Sequence, residues 1–475
     1  MWWLKNVHVV DPECTSIQVR DVLIQGDRIL KISDSLTQEE ALKQFGQNSQ
    51  KGKADLKEIK VIDGTGKYLF PGLIDVHTHL REPGQEEKEE IATGARAALR
   101  GGFTTILAMP NTKPVLDQRA LVEFVVLQGE RAGAARVYPI GAITKGQSGK
   151  ELTEMVDLAS GGAKAFSDDG RGVQNAELFR LALEYVKLTG LPLISHCEDE
   201  GLAQGGSMHK GEVSARLGLK GIPSSAEAVM VARDLILAEE TSGKLHLAHI
   251  SAKESVELIR AAKKRGVDVT AEVNPHHLIF TDEALLDSEY NTSYKVNPPL
   301  GSREDQQALL GGVLDGTLDM LATDHAPHTW EEKMKPFGEA PFGIAGLETA
   351  LAAVWTYLVK PGKLSVETLI KNWSLNPSRR FNLPGGAVQE GGIADVVLFD
   401  PERIEKVEPG WFASKSLNTP FLGRELQGFS SMVWVGGELR YQRDQDKIWQ
   451  EINGVKVQRD IVKYRMNRRT IECLF

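Results

Sequence analysis

Short apolar segments alternate with amphipathic stretches through the middle of the chain. The apolar segments have the length of buried β-strands, whereas stretches such as 86–100, 118–131, 176–189, 226–241 and 252–265 carry apolar residues at helical spacing. The pattern predicts eight strands, at 73–76, 104–109, 137–143, 163–167, 192–195, 245–250, 267–273 and 320–323.

This alternation predicts an α/β fold, specifically a (β/α)8 TIM barrel. Eight strands and their helices spread over about 300 residues match the usual span of such a barrel. The structural competitor is a doubly wound open sheet. It is disfavoured because no GxGxxG motif follows an early strand.

Both ends of the chain depart from the alternation and predict additional strands. Segments 17–24 and 28–32 flank a Gly26-Asp27 turn, and near the other end segment 431–435 precedes a Gly436-Gly437 turn. Strand groups on either side of a barrel satisfy their hydrogen bonds by pairing with each other. We therefore predict one small β-sandwich domain built from residues 1–70 and 383–441, a barrel over 71–382, and a tail of unknown role over 442–475.

Two regions give weaker signals. The polar stretch 37–57 predicts a surface excursion, and the tail predicts a helix or an irregular segment.

Composition and charge narrow the possible functions. The chain of 475 residues has 56 Lys and Arg against 65 Asp and Glu, a formal net charge of −9 without a basic block. This balance argues against nucleic-acid binding but permits a small-molecule substrate whose anionic group is held by one local cation. Three separated cysteines exclude a disulfide framework and favour a cytoplasmic protein. No apolar run reaches the roughly 18 residues of a membrane span.

Metal-ligand residue types follow the predicted strands where they end. The carboxyl ends of barrel strands meet on one face, and residues two apart in a strand point to the same side. His77 and His79 therefore form a pair, which His196, His249, Asp169 and Asp324 would join. Four imidazoles and two carboxylates exceed the ligand set of one open metal site. They suit two metals about 3.5–4 Å apart with a shared carboxylate. Nitrogen and oxygen ligands favour Zn²⁺, with Mn²⁺, Co²⁺ or Fe²⁺ as alternatives.

Each of these residues also has an ordinary structural explanation. A single buried histidine is more often a hydrogen-bonded core residue, and Asp169 alone could cap a turn before Gly170. Taken together, the structural explanations fail, because each of five strand ends would need its own unrelated reason to carry a residue type that binds metals. His246 should point away from His249 and is interpreted as structural. For His276 and His277, a supporting role and a purely structural role stay open.

Longer motifs resemble the dihydroorotases of the long bacterial type, within the amidohydrolase superfamily. The resemblance extends over about residues 5–440, in the order that the family shows. The matching motifs are DVHTHLREPG at 75–84, GGFTT at 101–105, MPNT at 109–112, FSDDG at 166–170, HCED at 196–199, HIS at 249–251, NPPL at 297–300 and ATDHAPH at 322–328.

The resemblance implies a zinc-dependent cyclic amide hydrolase of de novo pyrimidine biosynthesis. Such enzymes interconvert (S)-dihydroorotate and N-carbamoyl-L-aspartate, using water activated between two Zn²⁺ ions per subunit. By motif, one zinc is held by His77, His79 and Asp324, and the other by His196 and His249. Asp169 bridges the two ions, and Asp324 is also the catalytic proton shuttle. The implied substrate contacts are Arg81, Asn111, Asn297, His328, Phe342 and Gly343.

Several alternatives stay open. Related barrels bridge their metals with a carboxylated lysine, for which Lys164 is the candidate, and Asp168 is the nearest rival of Asp169. Gly301 stands where the family usually has Arg, which affects a loop rather than the metal ligands. The resemblance leaves open a homodimer and association with an aspartate transcarbamoylase.

Two other functions compete with dihydroorotase activity. One is a hydantoinase-like or allantoinase-like cyclic amidase, which would not use an Arg81–Asn111 clamp for a carboxylate. The other is an inactive homologue that acts as a structural partner of aspartate transcarbamoylase. That hypothesis predicts missing ligands, and none is missing.

Overall fold

A computed structural model describes residues 1–13, 17–47, 59–445, 447–452 and 455–460. Within these ranges the strands are β1 (Trp2–Val9), β2 (Gln18–Gln25), β3 (Arg28–Ser33), β4 (Lys60–Asp63), β5 (Tyr68–Pro71), β6 (Leu73–Thr78), β7 (Phe103–Ala108), β8 (Arg136–Pro139), β9 (Phe166–Ser167), β10 (Leu193–Ser195), β11 (Met208–His209), β12 (Gly221–Ile222), β13 (Leu245–Leu247), β14 (Val269–Val273), β15 (Met320–Leu321), β16 (Val396–Lys406), β17 (Glu425–Val435), β18 (Glu438–Gln442), β19 (Lys447–Ile452) and β20 (Val455–Asp460).

The α-helices are α1 (Gln38–Gln47), α2 (Ile91–Gly101), α3 (Arg119–Ala132), α4 (Met155–Ser160), α5 (Ala176–Val186), α6 (Glu200–Ala203), α7 (Glu212–Leu217), α8 (Ser225–Thr241), α9 (Lys253–Lys264), α10 (Pro275–Ile279), α11 (Ala284–Asp287), α12 (Arg303–Leu314), α13 (Trp330–Lys333), α14 (Ala350–Val354), α15 (Val366–Ile370) and α16 (Asn376–Phe381). Trp355–Val359 and Lys371–Leu375 are π-helical, and Lys145–Gln147, Thr292–Tyr294, Pro409–Trp411 and Arg443–Gln445 are 3₁₀ turns. None of the helices in the described ranges has both the length and the apolar character that crossing a membrane requires.

Eight parallel strands close into the predicted barrel. β6, β7 and β8 are parallel neighbours, and β9, β10, β13, β14 and β15 form a second parallel run. Parallel bridges from Gly141 to Phe166 and from Thr78 to His325 join the two runs into a ring. The fold class predicted from the alternation is therefore confirmed.

The barrel interior is a packed apolar core. All six residues of β6 are buried, as expected for a strand covered on both faces. Side chains from most barrel strands meet inside, and their cluster comprises Ile74, Val76, Leu107, Met109, Ile140, Ala165, Ile194, Ala248, Met320 and Ala322 with Phe381 and Leu383. This packing fixes the strand ends on which the polar residues stand.

The two ends of the chain form one sheet domain beside the barrel. The strand order is β20-β19-β18-β17-β16-β5-β1-β2-β3, with β4 also pairing with β1. The junction between the halves is the antiparallel pair β5–β16, in which Phe70 lies opposite Val397. Leu4, Val22 and Trp434, one from each of three strands, pack in a shared core. The boundaries given for the sandwich, barrel and tail stay predictions.

Two segments differ from what their sequence predicted. The polar stretch 37–57 contains α1, which forms because Ala41 and Phe45 lie on one helical face and are buried; residues 48–58 lie outside the described residues. In the tail, β19 and β20 form an antiparallel hairpin that extends the sheet from β18. Residues 461–475 of the tail lie outside the described residues.

Candidate active site

Five strand ends bring the six predicted ligands together. His77 and His79 come from the end of β6, Asp169 follows β9, His196 follows β10, His249 follows β13 and Asp324 follows β15. All six are buried, and five of them, all but Asp324, form two overlapping groups that could each hold a metal ion. The groups are His77, His79 and Asp169, and Asp169, His196 and His249.

Asp169 lies between the two groups. Its Oδ1 is 3.4 Å from Nε2 of His77, 3.4 Å from Nδ1 of His196 and 3.5 Å from Nε2 of His249, and its Oδ2 is 3.4 Å from Nε2 of His79. Ligands at Zn–N and Zn–O distances of about 2.0–2.1 Å stand about 3.3–3.4 Å apart in a tetrahedron. Oδ1 of Asp169 and Nε2 of His77 are also buried without a hydrogen-bond partner. The arrangement therefore fits divalent cations.

Asp324 reaches the same cluster from the end of β15, which the bridge from Thr78 to His325 joins to β6. Its Oδ1 is 3.1 Å from Nε2 of His79 and 3.5 Å from Nε2 of His77. Its backbone φ of 49° lies in the left-handed region that L-residues rarely adopt. Burial would raise the pKa of Asp324, but the nearby imidazoles of His77 and His79 outweigh burial and lower it. The carboxylate is therefore ionised at neutral pH.

The rival bridging residues lie elsewhere. Asp168 accepts hydrogen bonds from the backbone N–H groups of Ile143 and Thr144 at 2.8 and 3.0 Å, and burial raises its pKa to about 6. Lys164 places its ammonium over the ring of Tyr138, 5.2 Å from the centroid. Asp168 does not belong to the two ligand groups found among the described residues.

The side chains of Arg81 and His328 lie next to each other beside the cluster and form a corner lined by N–H donors. Nε of Arg81 donates to the carbonyl of Pro327 at 3.1 Å, and its Nη2 lies 3.4 Å from Nε2 of His328. That Nε2 is 2.8 Å from the carbonyl of Phe342, to which it donates. Burial and the adjacent Arg81 guanidinium lower the pKa of His328. Arg81 supplies the positive charge of this corner.

The other predicted substrate contacts have different surroundings. Oδ1 of Asn111 accepts from Nδ1 of His79 at 2.9 Å, so Asn111 orients a ligand histidine. Oδ1 of Asn297 is buried without a partner, which leaves an acceptor for a ligand. Gly343 has a φ of 129°, and a Cβ there would lie 2.8 Å from the carbonyl oxygen of Ala326. Only glycine fits this position.

The sequence analysis missed three buried charged residues around the site. Glu272, in the middle of β14, contacts His77 and His246. Lys295 donates to the carbonyls of Phe337 and Gly338, and Lys333 donates to those of Pro341 and Gly343. Segment 267–273 reads VDVTAEV, and a charged residue within a strand predicted to be buried was the available signal for Glu272.

Comparisons with known proteins agree with one another. A family model described as "Dihydro-orotase-like" matches residues 66–255. A protein of Pelotomaculum thermopropionicum named "Dihydroorotase" is 50% identical over 439 residues, which is 92% of this chain and 98% of that protein. A protein of Thermoanaerobacter sp. with the same name is 49% identical over 384 residues, covering 81% of this chain and 88% of that protein.

Among solved structures, the L-hydantoinase of Arthrobacter aurescens superimposes with a TM-score of 0.78 at 24% sequence identity. It covers 93% of this chain and 96% of its own. At that identity the likeness supports the barrel and its accessory sheet domain.

Proposed function

The chain belongs to the dihydroorotase family, and from this membership we infer that it hydrolyses (S)-dihydroorotate reversibly to N-carbamoyl-L-aspartate in de novo pyrimidine biosynthesis. The observation that carries the inference is 50% identity over 92% of the chain to a protein named "Dihydroorotase". The presence of every expected ligand type at the strand ends supports an active enzyme over an inactive homologue.

We propose that the cluster holds two Zn²⁺ ions. One ion would be held by His77, His79 and Asp324. The other would be held by His196 and His249, and Asp169 would bind both ions. When bound, such a pair supplies Lewis acidity, which polarises the scissile amide carbonyl and lowers the pKa of a water molecule. The unpartnered Nε2 of His77 and Oδ1 of Asp169, facing each other at 3.4 Å, support this assignment.

In this proposal, Asp324 moves the proton. Its ionised carboxylate accepts a proton from the attacking water and delivers it to the ring nitrogen released when the amide bond breaks. In the direction of ring closure, the same carboxylate takes the proton from that nitrogen. The short contact of Asp324 with His79 supports a fixed position for the shuttle.

Arg81 would hold the substrate carboxylate, assisted by His328 and Asn111. The guanidinium is anchored through Nε, which leaves its terminal N–H groups for a carboxylate. Asn297 and the backbone around Phe342 and Gly343 would contact the ring. A neutral cyclic amide, the substrate class of the competing hydantoinase hypothesis, has no group for this clamp.

The test compares two substrates on one variant. Arg81→Ala is expected to weaken dihydroorotate binding strongly, because removing a charged partner costs about 1.5–3 kcal/mol or more. Hydrolysis of an uncharged cyclic imide should change little. Steady-state kinetics on both substrates, with metal content measured in the same samples, decide the matter. Equal losses on both substrates contradict the clamp, and a wild-type protein that prefers hydantoins contradicts the proposed function.

We place the enzyme in the cytoplasm, since its few separated cysteines suit a reducing compartment. A homodimer and a complex with aspartate transcarbamoylase stay predictions. The mass of the particle purified alone and with that partner would test them.

A further inference from the structure

Glu272 lies behind the ligand cluster and contacts both of its halves. The side chain projects from β14 and is fully buried. Its Oε1 is 2.5 Å from Nδ1 of His77 and accepts the backbone N–H of His249 at 3.2 Å. One carboxylate therefore touches a ligand from each of the two groups, at the atoms that face away from the cations.

The contact with His77 sets the protonation of its ring. A carboxylate acceptor at Nδ1 places the proton there and leaves a lone pair on Nε2. That Nε2 is the unpartnered atom that faces Asp169. Glu272 thereby holds His77 in the tautomer and orientation that a metal ion requires.

The contact with His249 acts on the backbone. The φ of His249 is 34°, a strained value for a residue with a side chain. The hydrogen bond from its N–H to Glu272 is one of the contacts that hold this conformation. Its imidazole lies 2.8 Å from the ring of His196, within the second ligand group.

Glu272 is itself held in place by two further side chains. Its Oε2 accepts from Nε2 of His246 at 3.0 Å, and Nδ1 of His246 lies 2.8 Å from Oγ1 of Thr270. The series Thr270–His246–Glu272–His77 connects two neighbouring strands to the cluster. His246 belongs to neither ligand group in the described part of the chain and contacts Glu272 instead.

We propose that Glu272 is a positioning residue for both metal ions, acting through His77 on one and through the backbone of His249 on the other. The inference rests on the proposed function, since it presupposes that the two ligand groups hold cations. Partners of this kind typically change metal affinity by about 10–100-fold.

The experiment measures Zn²⁺ affinity by competition with a chromophoric chelator, on metal-free protein reloaded with Zn²⁺. Glu272→Ala should weaken both sites by about 100-fold, because it leaves the ring N–H of His77 and the backbone N–H of His249 without their acceptor. Glu272→Gln should weaken them by about tenfold, because its amide oxygen still accepts from His77. Partial rescue by the isosteric amide separates positioning from a general loss of packing.

Asp319→Asn is the matched control. The carboxylate of Asp319 accepts from the backbone N–H of Ala271, next to Glu272 on the same strand, and pairs with Lys263. This variant should bind Zn²⁺ as the wild type does, even if its melting temperature falls. Far-UV circular dichroism of each metal-free protein checks folding, and Glu272→Gln carries the test if Glu272→Ala does not fold.

The outcomes separate the two hypotheses. If wild-type protein takes up no divalent ion, the proposed function fails. If the wild type binds Zn²⁺ and the Glu272 variants bind it equally well, the inference is overturned while the proposed function stands. Weakening at one site alone overturns the claim that one carboxylate serves both ions.

Discussion

Asp324 is a single residue in which position, charge and backbone conformation agree with one chemical role. Its carboxylate is buried, contacts His79 and His77, and is held by a backbone in the left-handed region. The next residue is anchored as well, because Nε2 of His325 lies 3.2 Å from Glu89. In the proposed mechanism, a carboxylate fixed in this way needs no reorganisation of its surroundings before it transfers a proton.

Replacing Asp324 with Asn should separate proton transfer from metal binding. The amide retains a ligand oxygen but accepts no proton, so kcat for dihydroorotate should fall by about 10²–10⁴-fold. Zinc content, measured by elemental analysis, should stay near that of the wild type. Full turnover in a variant that keeps its metal would show that the proton moves by another route.

The clustering of the proposed ligand residues was predictable from the sequence because barrel geometry brings the ends of the strands together on one face. The spacing of His77 and His79 is enough to predict a pair. Glu272 was not predictable in the same way, since a charged residue in a strand can face either side. Only the observed register, with Glu272 opposite Met320, shows that it reaches His77.

Among the elements, the loop from Pro336 to Gly343 depends on two buried ammonium groups. Nζ of Lys295 donates to Phe337 and Gly338 at 2.6 and 3.1 Å. Nζ of Lys333 donates to the carbonyls of Pro341 and Gly343, each at 3.0 Å. These bonds fix the backbone beside His328 and thus the shape of the predicted substrate pocket.

Lys333→Met should therefore raise KM for dihydroorotate more than it lowers kcat. The variant keeps the bulk of the side chain but leaves two buried carbonyls without their donor, which costs about 1–3 kcal/mol of loop order. Steady-state kinetics measure the changes in KM and kcat separately. Lys335→Met removes the same charge from an exposed position two residues away and should behave as wild type. A lowered kcat at unchanged KM would argue against a positioning role.

The same lysine predicts a pH dependence of stability. Burial, together with the charge of Lys295, lowers the pKa of Lys333 from 10.5 to about 7. Between these values the unfolded chain binds a proton that the folded chain does not, so this group makes stability rise with pH across the interval. Lys333→Met should flatten that rise. Melting temperatures of both proteins between pH 7 and 10 provide the comparison, and parallel curves would contradict the prediction.

The boundaries of the elements were less predictable than their order. All eight barrel strands occur where the apolar segments predicted them, but β9 and β15 have only two residues each. Asp169 and Asp324, which follow these two strands, are not paired with neighbouring strands and lie in the candidate site. The helix predicted over 86–100 begins at Ile91, because Thr93 and Glu90 form a capping box there.

At the scale of the whole molecule, the sheet domain requires both ends of the chain. Pairing between strands from the two chain ends was predicted from the need to satisfy strand edges, which does not depend on sequence distance, but the pair that forms the junction, β5 with β16, was not predicted. The register was not predictable, because it depends on side chains that meet only after folding. The barrel then begins at Leu73, directly after β5, so the sheet domain holds the first barrel strand in place.

The contact between two turns tests this arrangement. Gly437, between β17 and β18, has a φ of 71°, and a Cβ there would lie 1.8 Å from the carbonyl oxygen of Gly26. Gly391 has a similar φ of 76°, but a Cβ there would meet nothing within 4 Å. Alanine at either position therefore imposes the same backbone strain, and only position 437 forces the two ends of the chain apart.

Gly391→Ala should lower the free energy of unfolding by about 1–2 kcal/mol, the cost of a side chain in the left-handed region. Gly437→Ala should lower the free energy of unfolding clearly more, because the backbone at position 437 must also move away from the backbone at Gly26. Its kcat should stay close to that of the wild type, since the turn is not among the residues of the ligand cluster. Thermal unfolding of both variants measures the difference. Equal melting temperatures would mean that the turns of the two chain ends do not pack as described.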